Sequence, residues 1–128
     1  MRIAVAGGTG VVGRHTVAAA QAAGHDVVVL SRSAGVDVIT GVGLDTALQG
    51  VGAVIDVTNT TTLSATKAVA FFERATRTLL AAEESAGVEH HVALSIVGID
   101  GIDASYYAGK LAQERAVAAG SVPFTIAR

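Results

Sequence analysis

An apolar run, Ile3-Ala4-Val5-Ala6, leads without a break into Gly7-Gly8-Thr9-Gly10-Val11-Val12-Gly13. No other feature narrows the fold as much. The order is strand, glycine-rich turn, helix start. Glycines at 7, 10 and 13 let the backbone turn sharply and bring a diphosphate close to bare amides, and the third lets the helix lie tightly on its strand. The helix start then offers unpaired N–H groups and a partial positive charge. The pattern predicts a dinucleotide site, with the pyrophosphate against the amides of Thr9 to Val12. Its plain alternative is a glycine-rich turn that only connects β to α.

The rest of the chain alternates in the same way. Strands are predicted at Arg2–Ala6, Asp26–Leu30, Val36–Thr40, Ala53–Val57, His91–Ser95 and Phe124–Arg128. Helices are predicted at Gly10–Ala23, Leu44–Gln49, Ala65–Ala86 and Tyr106–Ala119, with Gly24, Gly50, Gly87 and Gly120 as stops. In the first helix Val12, Thr16, Ala19 and Ala23 recur as a small-residue face. In the long one Val69, Phe72, Thr76, Leu79 and Ala86 share a stripe. Alternating β and α with right-handed crossovers predicts an α/β, doubly wound (Rossmann) parallel sheet with helices on both faces. The 128 residues suit a single dinucleotide-binding domain. The chain stops inside its last predicted strand, so we expect it to be the N-terminal part of a longer protein lacking its substrate lobe.

Composition excludes several classes. The net charge of −2 provides no basic footprint for nucleic acid. The absence of cysteine removes disulfides, thiol nucleophiles and zinc thiolates, and fits a reducing compartment. No apolar stretch approaches the ~20 residues of a membrane span. Met1-Arg2-Ile3 enters the first predicted strand at once, so no secretory leader is expected. A cytoplasmic soluble protein is expected.

In open α/β sheets ligands sit at the carboxyl ends of the strands. The second strand ends at Ser31-Arg32-Ser33, where a site for NAD usually carries Asp or Glu. A guanidinium flanked by hydroxyls suits a 2′-phosphate, and Arg14 stands near enough in sequence to help. The expected cofactor is therefore NADP, with NAD second; the plain alternative for Arg32 is a solvated loop arginine, and for Arg14 the two readings stand nearly level. The strand at Ala53–Val57 leads into Thr58 and Asn59, and the next ends at Ser95. Tyr106 and Lys110, four apart, share a helix face. An ammonium beside the phenol would lower its pKa and make it a usable general acid or base. Ser95 could hold a substrate carbonyl. Tyr107 lies about 100° round the helix and is second choice. Taken alone, such a Tyr–Lys pair also suits an ordinary surface.

These residues resemble the short-chain dehydrogenase/reductase superfamily. The nearest likeness is to its atypical NAD(P)H-binding branch, which includes nitrogen-metabolite-regulator-like proteins. The glycine loop has that branch's GxxGxxG form, Tyr106 and Lys110 match YxxxK, and Ser95 takes the place of the catalytic serine. Asn59 lies where the family keeps small or polar residues against the cofactor. Val57-Thr58-Asn59-Thr60 replaces the family's NNAG-like motif, and the step from Ser95 to Tyr106 is slightly short. The resemblance implies a catalytic set of Ser95, Tyr106 and Lys110, acting on a small carbonyl or quinone-like substrate. Some members of the branch bind the dinucleotide and catalyse nothing, so a sensing or regulatory protein is the alternative.

Other features are read as structural. His90 and His91 point to opposite faces of a strand and cannot share a metal, so no metal site is expected. Glu83-Glu84 reads as a solvated helix face, and Asp100 and Asp103 as solvated loop residues. Phe71 is taken as exposed and as a candidate helix–helix contact in a homodimer.

Overall fold

The computed structural model describes residues 1–96, 98 and 104–128. Five parallel strands form one sheet: β1 (Arg2–Ala6), β2 (Asp26–Leu30), β3 (Ala53–Asp56), β4 (His90–Leu94) and β5 (Phe124–Ala127). Their order is β2-β1-β3-β4-β5. Four α-helices are described: α1 (Val11–Ala22), α2 (Leu44–Ala47), α3 (Ala65–Ala86) and α4 (Ser105–Ala119). The chain reverses its winding across β1, so the switch point falls at the carboxyl ends of β1 and β3, where such sheets bind ligands.

One sheet face carries Ala4, Ala6, Leu30, Val54 and Ala93, all buried, with Leu44 of α2 packed into the same cluster as Leu30. Leu79 of α3 joins the larger core cluster, and Leu80 of α3 and Val117 of α4 join the smaller one. The other face takes α1 over β1 and β2. Small side chains let these layers close up. A Cβ on Gly109 would lie 2.7 Å from the Phe72 ring, so α4 approaches α3 only because that position is bare.

Three expectations are corrected. Val36–Thr40 is not a strand, and the sheet has five strands rather than six. Gly35, Gly41 and Gly43 all take positive φ and curl the segment into turns. Asp37 Oδ1 accepts the Ile39 amide at 2.8 Å, while Val36 drops its side chain into the core. The buried face of α1 is Gly13 and Ala20, with Thr16 and Val17 half-buried, whereas Val12, Ala19 and Ala23 are exposed. Finally, Glu83 is not solvated. It is fully buried against His91 Nδ1 at 2.8–2.9 Å, also with zero exposure, joining α3 to β4. Burial raises the Glu83 carboxyl above its ordinary value, His91 opposes the rise, and the charge of Asp56 adds to it.

Candidate active site

The glycine loop divides its labour. Gly7 holds φ +82°, and a Cβ there would lie 2.8 Å from the Val57 carbonyl oxygen, so the loop after β1 presses directly on the turn after β3. A Cβ on Gly13 would fall 1.9 Å from the Gly7 carbonyl oxygen, which makes this the glycine that seats α1 on its strand. Gly10 is different. Its Cβ would meet only the Gly7 oxygen at 3.5 Å, an ordinary contact, so the protein's own packing does not require glycine there. The bare position instead keeps open the space above the helix start. Gly10 caps α1 without a side-chain acceptor, and no acidic residue occupies the first turn. The leading amides of Val11, Val12 and Gly13 have no intrahelical acceptor.

A cleft of about 520 Å³ runs along this edge. Gly7, Thr9 and Gly10 line it at the loop, Ser31 and Arg32 at the end of β2, and Thr58 and Asn59 after β3. Val11, Val12, Gly13, Arg14, Ser33, Ser95, Tyr106 and Lys110 stand outside its lining, although Ser33 Oγ lies 3.0 Å from Ser31 Oγ. The sequence reading did not place Leu30, Val36, Asp37, Val38, Ile39, Val57 or Phe71 in the site, and these complete the wall. Phe71, taken above as exposed and as a dimer contact, is instead half-buried in this wall. The residues fit a dinucleotide: amides and an open glycine at the helix start, a guanidinium with hydroxyls at the far end, and apolar side chains between.

The cleft reaches the Tyr–Lys pair through Asn59. The Tyr106 hydroxyl donates to Asn59 Oδ1 at 2.6 Å. Tyr106 packs edge-on against Phe72 at 5.7 Å, and Lys110 Nζ lies 4.7 Å from the centre of the same ring. The two residues thus share a face, as their spacing requires. Their electrostatics differ from the expectation. The Lys110 ammonium is turned to the Leu94 carbonyl oxygen, donating at 2.6 Å, and does not lower the phenol. Burial raises Tyr106 above the usual tyrosine range, with Tyr107 adding to the rise. Burial lowers Lys110, while Asp56 and Glu114 pull it back up. Tyr107 is exposed, its ring edge-on to that of Tyr106 at 6.0 Å.

Ser95 is buried and donates its hydroxyl proton to Glu114, whose other oxygen accepts from Arg128 at 2.9 Å. Glu114 follows Lys110 by one helical turn, a spacing that could have drawn attention to it. Asp56 is the second missed residue. It is buried at the end of β3, and its carboxylate accepts from the Thr58 amide, the Thr58 hydroxyl and Gln113 Nε2. Ser105 opens α4 at φ +53° and donates to the Leu63 carbonyl oxygen at 2.8 Å, tying the start of the helix to the segment before α3. Asp100 and Asp103 lie outside the described residues. His90 Nε2 is 2.8 Å from Thr125 Oγ1, and among the described residues no three His, Cys, Asp or Glu side chains group around a metal position. Among the described residues, too, no helix is long and apolar enough to cross a membrane.

Solved structures share this architecture. A short-chain dehydrogenase/reductase superfamily protein from Agrobacterium tumefaciens with bound NAD is 25% identical, with a TM-score of 0.80, over 98% of this chain and 48% of that one. A UDP-N-acetylglucosamine 4-epimerase from Bacillus cereus is 25% identical, with a TM-score of 0.75, over 90% of this chain and 47% of that one. A UDP-glucose-4-epimerase from Stenotrophomonas maltophila, with bound NAD and formylated UDP-arabinopyranose, is similar in fold at 20% identity and a TM-score of 0.77, over 98% and 52%. The chain spans about half the length of these structures. No curated protein matches the sequence. Residues 3–119 match the family described as NAD dependent epimerase/dehydratase, and the chain belongs to that family.

Proposed function

We propose that this chain is the dinucleotide-binding part of an NAD(P)H-dependent oxidoreductase of the short-chain dehydrogenase/reductase type, from the superfamily's atypical branch. The observation that carries this reading is the continuity of the cleft. One wall runs from the open Gly10 and the helix start to Arg32, and its far side ends on Asn59, which holds the Tyr106 hydroxyl at 2.6 Å. Gly7, Thr9, Gly10 and the first amides of α1 would hold the pyrophosphate. Arg32, with Ser31 and Ser33, would hold a 2′-phosphate, so NADP is preferred to NAD. When bound, the nicotinamide supplies hydride. The balancing proton reaches the oxygen of a small carbonyl or quinone-like substrate from the Tyr106 hydroxyl. Lys110, on the same face of α4 and in contact with the same Phe72 ring as Tyr106, would hold the nicotinamide ribose, and Ser95 lies at the same end of the sheet.

A specific observation favours a second reading. Ser95, Tyr106 and Lys110 each bond to a protein group, namely Glu114, Asn59 and the Leu94 carbonyl. A protein that reads the dinucleotide without catalysis would keep them so.

The test is a titration with NADPH and with NADH, followed by NADPH consumption across a panel of carbonyls, quinones and nucleotide sugars. Arg32→Ala should cost NADPH about 1.5–3 kcal/mol, the scale of a hydrogen bond to a charged group, and leave NADH nearly unchanged. Equal losses for both would remove Arg32 from the 2′-phosphate. Binding without turnover on the whole panel favours the sensor, and failure to bind either dinucleotide overturns both readings.

A further inference from the structure

Asp56 belongs to neither the glycine loop nor the Tyr–Lys pair, yet it touches the supports of both. It ends β3 on the face that packs against α4, with 1% exposure. One carboxylate oxygen accepts the Thr58 amide at 3.0 Å and the Thr58 hydroxyl at 2.7 Å. The other accepts Gln113 Nε2 of α4 at 3.2 Å. The turn so fixed has two loads. Val57 and Thr58 press on Gly7, and the next residue, Asn59, receives the Tyr106 hydroxyl. Gln113 and Tyr106 are seven residues apart, two turns of one helix, so α4 is pinned to this turn at two points along one face.

We propose that Asp56 is a positioning residue, which fixes the turn after β3 so that Asn59 holds the Tyr106 hydroxyl in one direction at the edge of the cleft. The proposal rests on the reading of Tyr106 as the proton donor. The chemistry is that of a buried clamp. A carboxylate taking three donors locks Thr58, and the residue that follows, its Oδ1 also accepting the Thr60 amide at 2.9 Å, places an amide oxygen 2.6 Å from a phenol on another element. Because the bond to Asn59 is made by the neutral phenol, it opposes ionisation of Tyr106.

The readout is the phenolate absorbance of the protein without any dinucleotide. The chain has two tyrosines and no tryptophan, so Tyr106→Phe identifies the step that belongs to Tyr106. Losing one neutral hydrogen bond moves that step down by roughly half to one pH unit. Asn59→Ala and Asp56→Ala should each give this shift, and the double variant should give no more than either. Asp56→Asn keeps an oxygen for Thr58, and Gln113 can turn its unpartnered Oε1 to the new amide, so the wild-type titration should return. Thr58→Val, a near-isosteric change at a half-buried position, should give a smaller shift of the same sign even if Asp56→Ala fails to fold. The proposal is overturned if Asn59→Ala shifts Tyr106 while Asp56→Ala and Thr58→Val do not. It is overturned equally if Asp56→Asn shifts as far as Asp56→Ala, since charge rather than position would then be responsible. Dinucleotide binding is measured separately, so a failure of the oxidoreductase reading leaves this result standing on its own.

Discussion

The buried pair of Glu83 and His91 makes a quantitative demand on the fold. Replacing His91 by Leu fills much of its volume and leaves the Glu83 carboxylate fully buried without the side chain that hydrogen-bonds it among the described residues. Stripping one member from such a pair costs about 3–5 kcal/mol, against a total of roughly 5–15 kcal/mol for a domain. The cost must also depend on pH. Burial raises the folded-state pKa of Glu83 above its ordinary 4.5, so its contribution to stability is complete below that value and is lost as pH rises through the folded value. His91 opposes the rise, and its removal pushes the folded value higher and steepens the loss. The variant should therefore sit close to wild type near about pH 4 and fall to the full deficit by about pH 8. Urea unfolding followed by circular dichroism reads this. With a slope of about 2 kcal/mol per molar, a deficit of about 4 kcal/mol lowers the midpoint by about 2 M. Glu83→Leu with His91→Leu should recover most of the loss, because the stranded charge is gone. A deficit below about 1 kcal/mol at the alkaline end, or an equal deficit at both ends, would refute the reasoning.

Two further expectations concern the cleft and its edge. Gly10→Val should abolish dinucleotide binding and leave the melting temperature within a few degrees, whereas Gly13→Ala should damage folding itself, since its Cβ would meet the Gly7 carbonyl at 1.9 Å; equal effects from both would contradict this division. In an active preparation Tyr106→Phe should cut turnover by roughly 10²–10⁴ with little change in dinucleotide affinity, and Tyr107→Phe, on the exposed side of α4, should be nearly silent; the reverse pattern would show that the wrong tyrosine has been assigned.

Where a residue's role depends on its near neighbours in sequence, the reading was sound. The bounds Ala65–Ala86 follow from the helical stripe and the stop at Gly87, which takes φ +75°. Val36–Thr40, expected as a strand, is flanked by glycines that turn the chain. Gly35, Gly41 and Gly43 each demand a conformation that no strand offers. The face of α1 failed for an avoidable reason. Gly13 had been read as the close-packing glycine, and a helix is buried where it packs most closely. Counting on from Gly13 leads to Val17 and Ala20, the side that faces the sheet. Glu83 carried no such clue, because a carboxylate on a long helix looks solvated until its partner is known, and that partner sits on another element.

The same distinction governs the Tyr–Lys–Ser set. Spacing along α4 says that Tyr106 and Lys110 share a face, and they do, on either side of Phe72. Spacing says nothing about what each polar atom bonds to. Tyr106 finds Asn59 at a separation of 47 residues, Lys110 finds the Leu94 carbonyl at 16, and Ser95 finds Glu114 at 19. Each partner comes from a different segment, brought in by the order in which β3, β4 and α4 are laid down. Those partners decide the chemistry at hand. A half-buried phenol bonded to an amide oxygen holds its proton more firmly than one facing an ammonium. For Tyr106 to act on a substrate, the substrate oxygen must take the place of Asn59 Oδ1 as acceptor. On the proposed reading, the turn that Asp56 holds sets the direction from which that exchange of acceptors starts.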